Sequence, residues 1–110
     1  MRVKGKVRGV GHVYANGLEN LEIWVSKDEG QDLPHEIGNK VPVKIIIGSR
    51  QYVGGIRSTE DCPYIWVSPT LIDSDNQRTT LAEALMKEGI EKNQSVDLEV
   101  SVDQVRIIPV

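Results

Sequence analysis

The chain has no phenylalanine, and its 110 residues include only three Tyr and two Trp. A core without Phe must be filled by Val, Ile and Leu, whose branched side chains suit a pleated sheet. Trp24 and Trp66 then read either as half-exposed platforms or as core fillers, and the missing Phe favours the core. The single cysteine, Cys62, has no partner for an internal disulfide, so folding does not rely on oxidation. No window approaches the ~18 apolar residues of a membrane-spanning helix. The start, Met1-Arg2-Val3-Lys4-Gly5, alternates charges without an apolar stretch of signal-peptide length. These absences lead to the expectation of a single soluble, cytoplasmic domain over residues 1–110 with no membrane partner.

Catalytic constellations are missing as well. A metal site needs about four convergent ligands at short spacing, and His12, His35 and Cys62 are scattered without a CxxC or HxxxH. Cys62 sits between Asp61 and Pro63, where a neighbouring carboxylate disfavours the reactive thiolate. Gly9-Val10-Gly11 lacks the third glycine of a dinucleotide fingerprint, and no Gly-rich loop leads into Lys-Ser or Lys-Thr. Asp73/Asp75 and Asp97/Glu99 have the spacing of turn and strand-edge residues rather than of acid–base pairs. The chain is therefore expected to bind rather than catalyse, with no catalytic residue, no metal and no cofactor.

What is present is charge in blocks. The net charge of −3 combines +4 over residues 1–14, −5 over 15–36, +4 over 37–58 and −4 over 59–75, with −2 in the remainder. Strands are expected where apolar residues alternate: 2–8, 21–27, 41–47, 50–57, 64–68, 95–101 and 104–109. Gly48-Ser49 suits a two-residue hairpin turn, and Gly54-Gly55 suggests a bulge or tight bend. A helix is expected at 81–88, with a Thr80/Glu83 capping box, an apolar stripe of Leu81, Ala82, Leu85 and Met86, and a left-handed cap at Gly89. A short helical turn is expected near Leu33–Ile37. Seven short strands with so few helices favour an antiparallel or mixed barrel over a parallel α/β sheet.

Two segments look suited to binding. Arg2, Lys4, Lys6 and Arg8 would project from one strand face about 7 Å apart, which fits phosphate contact and equally fits the protection of an exposed sheet edge. Gly11-His12-Val13-Tyr14-Ala15-Asn16-Gly17 holds side chains that bond or stack on bases, and it also reads as a plain hairpin loop turning at Asn16-Gly17.

The run Tyr52-x-x-x-Ile56-Arg57, then Tyr64-Ile65-Trp66-Val67-Ser68-Pro69, Leu81-x-x-x-Leu85 and Gly89-Ile90-x-Lys92-Asn93-Gln94-x-Val96 resembles the B-three DNA-binding pseudobarrel superfamily. That superfamily includes plant transcription-factor domains and restriction-endonuclease recognition domains. The resemblance implies a mainly β fold, a seven-stranded open barrel with one or two short helices, and a double-stranded DNA partner held in the major groove by two arms. On this chain the first arm would offer Arg8, His12, Tyr14, Asn16 and Asn20. The second would offer Arg57, Ser58, Thr59 and Asp61, with Asp61 a possible acceptor for cytosine N4. Arg2, Lys4 and Lys6 would meet the DNA backbone, and a separate nuclease or regulatory domain would be a natural partner. The chain is also similar to small bacterial barrel domains of unknown function with the same order of strands, hairpin and helix. That likeness leaves a small ligand or a protein as the alternative partner.

Overall fold

Strict alternation over residues 2–7 of β1 (Arg2–Val13) turns Val3, Gly5 and Val7 inward and leaves Arg2, Lys4 and Lys6 in solvent in the computed structural model, which describes all 110 residues. The same parity runs through β2 (Glu19–Ser26), β3 (Val41–Ile47), β4 (Arg50–Ser58) and β5 (Tyr64–Val67). Two short strands follow, β6 (Thr70–Asp73) and β7 (Arg78–Thr80), then helix α1 (Leu81–Lys87) and the last pair, β8 (Ser95–Val100) and β9 (Gln104–Pro109).

Seven of the nine strands form a ring in the order β1–β2–β5–β4–β3–β9–β8, which returns to β1. The seven-stranded barrel expected from the sequence is present, and its hydrogen-bonded circuit is complete. Seven is odd, so strand direction cannot alternate all the way round. The parity is absorbed by one parallel pairing, Lys44–Ile47 of β3 against Gln104–Ile107 of β9, while all other neighbours are antiparallel. A closed ring also leaves its strands without the free edges that invite aggregation.

Gly48 takes φ +63° at the β3–β4 turn and Ser49 stays at negative φ, the pattern of a type II′ hairpin. The bulge expected at Gly54-Gly55 is absent: the β3–β4 register is unbroken from Val41↔Ile56 to Ile47↔Arg50. Close approach explains these glycines instead. A Cβ on Gly54 would sit 2.5 Å from Ile45 Cδ1 and 2.7 Å from Leu71 Cδ2 inside the barrel, and a Cβ on Gly55 would meet the Lys40 side chain outside it.

β5 and β6 share one edge of β4, β5 along Ile56–Ser58 and β6 along Tyr52–Val53. Pro69 separates them, having no N–H to give to the ladder, and beyond it β6 pairs with β7 instead of with β2. Strands β6 and β7 were not expected, because three or four residues carry too little alternation to register. Their turn is visible in retrospect: Asp73 Oδ1 accepts from the N–H groups of Asp75 and Gln77, and Asn76 adopts φ +62°.

The core is a cluster of 24 buried residues in which Tyr52 is the sole aromatic. Val, Ile and Leu do fill it, as the missing Phe requires, but neither tryptophan takes part. Helix α1 adds Leu81, Ala82, Ala84 and Leu85, while Met86, expected in the stripe, is 54% exposed. The capping box is half made: Glu83 N–H donates to Thr80 Oγ1 at 3.1 Å, but the Glu83 carboxylate accepts from the Thr79 hydroxyl instead. The helix ends in a Schellman motif, with Ile90 N–H on Leu85 O and Gly89 N–H on Met86 O at 3.0 Å each and Gly89 at φ +71°.

The expected helical turn at Leu33–Ile37 is not helical. Pro34 forces the residue before it away from helical backbone, and the segment carries only isolated bridges, Glu36↔Asn39 and Ile37↔Ser58. Leu33, 2% exposed, anchors it to the core.

Candidate nucleic-acid interface

Cross-strand register places four side chains in one row on the outside of the barrel. Lys6 on β1 faces Trp24 on β2, Trp24 faces Trp66 on β5, and Trp66 faces Arg57 on β4. Parity makes this unavoidable: Val7, Ile23, Val25, Ile65, Val67 and Ile56 point inward, so the residues between them point out. At about 4.8 Å per strand the row is roughly 14 Å long. Both indoles are half-buried and lie outside the core cluster.

Around the row the chemistry is aromatic and cationic. The Arg8 guanidinium lies 5.5 Å from the centre of the Trp24 ring, within cation–π range. The Tyr64 ring packs against Trp24 with centroids 5.0 Å apart. Trp24 Nε1 donates to Glu22 Oε1 at 2.9 Å, which fixes the indole from its polar edge. Beside Trp66, a shallow groove of about 450 Å³ is lined by Arg57, Lys40, Thr59 and Thr70 together with Glu22.

The cations of this face are uncommitted. Ion pairs within 4.0 Å involve only Arg2, with Asp97 and Glu99, and Lys92, with Glu19. Lys4, Lys6, Arg8, Lys40 and Arg57 therefore have no acidic partner at that distance. The row itself contains no acid; Glu22 opposite Arg8 and Asp97 opposite Lys4 flank it. Lys6 pairs through its backbone with both β2 and β8, so it does not guard an open edge.

The residues expected from the sequence divide clearly. Arg8, Lys6 and Arg57 converge on this face. Arg2 is drawn to Asp97 and Glu99 on β8, and Lys4 lies across from Asp97. In the first arm, Asn16 Oδ1 accepts from Leu18 N–H and Tyr14 donates its hydroxyl to Asn20 Oδ1, so these side chains serve the hairpin itself. Burial raises the Tyr14 pKa above its ordinary value. His12 is exposed and meets only the edge of Tyr14, with ring centres 5.4 Å apart.

In the second arm, Thr59 and Asp61 are exposed, and the Thr59 carbonyl accepts from Lys27 Nζ at 2.7 Å. Ser58 is a correction: it is 1% exposed, its hydroxyl points inward without a partner, and it cannot reach a base. Its position on β4 has inward parity with Tyr52, Gly54 and Ile56. The two arms also leave the barrel at opposite ends. β2 is antiparallel to both β1 and β5, so the β1–β2 hairpin lies at the end where β5 finishes, whereas the β4–β5 connection lies where β5 begins.

Sequence reasoning weighed Trp24 and Trp66 as half-exposed platforms but favoured the core, and it gave Tyr64 and Lys40 no part in binding. No three His, Cys, Asp or Glu side chains converge where a metal ion could be held, and no helix is long and apolar enough to cross a membrane. Comparison with protein-family models, curated proteins and solved structures finds no match for this chain.

Proposed function

We propose that the protein is a non-catalytic nucleic-acid-binding barrel and that its binding surface is the outer face of β1, β2, β5 and β4. The observation that carries this reading is the acid-free row Lys6–Trp24–Trp66–Arg57 with unpaired Arg8 and Lys40 beside it. Cations without intramolecular partners are free to replace the counterions of a phosphate backbone, and aromatic surfaces between them add contact that a protein–phosphate interface alone does not need. A net charge of −3 does not oppose this, because binding responds to the local field of a face rather than to the whole-chain sum.

This reading keeps only the nucleic-acid class of the partner implied by the resemblance and moves the contact from the loops to the wall between them. Arms at opposite ends of a barrel cannot close on one short stretch of groove, but they can border a strand or duplex laid along the face they flank. The test is a titration of DNA, duplex and single-stranded, at low and moderate salt. Binding should weaken with salt, and Lys6→Ala with Arg57→Ala should lower the slope of log K against log salt by about one to two units. Absence of binding to either form at low salt, where attraction is strongest, would refute the reading.

A further inference from the structure

Resting on that reading, we infer that the occupant of the face is an unpaired nucleic-acid strand, with bases stacked on Trp66 and Tyr64. These two residues stand on β5 at positions i and i+2, so both side chains leave the same side of the strand about 7 Å apart. Tyr64 is 38% exposed, and Trp66 is half-buried at the wall of the open groove. Trp24 takes a different part. Arg8 lies over its ring, Tyr64 packs against it and Glu22 holds its indole N–H, so it buttresses the platform rather than offering a free face.

A planar side chain can stack only on a base whose face is uncovered. In a duplex every interior base is covered above and below by its neighbours, and a protein on the outside meets phosphates and groove edges. Indole and phenol rings on an exposed sheet, flanked by cations, therefore match a single strand, whose bases can splay and stack while the backbone passes the cations. On this face Arg57 and Lys40 border Trp66 on one side, and Lys6 and Arg8 border Trp24 on the other. Two platforms at strand spacing favour stacking over hydrogen-bond readout, so sequence preference should be weak. The hairpin amides Asn16 and Asn20, which could otherwise read base edges, are spent on their own turn.

The experiment uses the full chain, an oligothymidine of about 15 nucleotides, comparable with the site of a single small domain, and a blunt duplex of the same length. Trp24→Phe leaves Trp66 as the only indole, so its emission reports contact at the platform directly. Oligothymidine should quench that emission and bind more tightly than the duplex. Trp66→Leu, which keeps apolar cover without a ring, should weaken single-strand binding about 5- to 150-fold, while Trp66→Phe should retain most of it. The pair separates stacking from folding, because both substitutions remove the same indole. Duplex binding as tight as single-strand binding, or equal losses in Trp66→Leu and Trp66→Phe, would overturn the inference and leave the face as a duplex-binding surface. Failure of both probes to bind at low salt would overturn the inference and the reading beneath it.

Discussion

Gly54 and Gly55 are adjacent on β4, yet alanine at each would meet a different part of the molecule. Neither adopts a left-handed φ, so space alone decides. At Gly54 a Cβ would be 2.5 Å from Ile45 Cδ1 and 2.7 Å from Leu71 Cδ2, and both neighbours are 0% exposed. Both methyls belong to fully buried side chains, and overpacking of this kind costs about 1–3 kcal/mol. Replacing Gly by Ala returns about 0.4–1 kcal/mol by restricting the unfolded chain. Gly54→Ala should therefore destabilise by about 1–2 kcal/mol. At about 4 °C per kcal/mol for a domain of this size, the melting temperature should fall by roughly 4–8 °C. At Gly55 the Cβ would meet the Lys40 stem, a flexible exposed side chain that can swing into solvent. Gly55→Ala should be within about 0.5 kcal/mol of neutral, since the unfolded-state gain offsets the lost Lys40 contact. Thermal denaturation of both variants, followed by circular dichroism, decides the matter. Equal losses at the two positions, or the larger loss at Gly55, would refute the unbroken register and the inside–outside assignment built on it.

Leu85→Ala should cost about 2–5 kcal/mol in urea denaturation, because its side chain is 0% exposed within the core cluster; an unchanged midpoint would place it outside the core. Ser58→Ala should be neutral or stabilising by up to about 1 kcal/mol, since it removes a buried hydroxyl that has no partner, and it should leave nucleic-acid binding intact. The Tyr52 pKa is raised, first by burial, with Arg50 opposing and Asp73, Glu88 and Glu83 adding to the rise. The folded state thus favours the protonated hydroxyl, so this contribution is full below the unfolded value of about 10 and is lost as pH climbs through the raised one. Tyr52→Phe should accordingly lose less stability than the wild type between neutral pH and about pH 11, read as the difference in urea midpoints; parallel losses would show that Tyr52 titrates as it does when unfolded.

The barrel was legible because its long strands carry period-two patterns that only one wall can satisfy. Val41 to Ile47, Leu21 to Val25 and Ser95 to Val100 each fix which face is buried, and all seven barrel strands emerged within a few residues of their observed bounds. β1 runs five residues beyond the expected end because pairing with β2 resumes at Val13↔Glu19 after a register shift that follows Gly9↔Leu21, where glycines mask the alternation. β6 and β7 were invisible for lack of length, and Leu33–Ile37 misled because spaced apolar residues outweighed Pro34.

The tryptophans are the instructive miss. Their parity was readable: Trp24 lies between Ile23 and Val25, and Trp66 lies between Ile65 and Val67, so the core already held both neighbours. Composition overrode pattern, since a chain without Phe was expected to spend its largest rings inside. The pairing of Trp24 with Trp66, and so the row itself, depends on β2 meeting β5 across the ring. That contact joins segments about forty residues apart, which no local pattern encodes. The same holds for the separation of the two arms, which follows from strand order rather than from loop composition.

The nucleic-acid face is tested most directly by mapping backbone and indole N–H chemical shifts of the full chain as oligothymidine is added at low salt. The largest changes should fall on Lys6, Arg57, Tyr64 and Trp66, including the Trp66 indole, with β6, β7 and α1 nearly silent. Changes confined to the β6–β7 hairpin or α1, with β2 and β5 unmoved, would contradict it.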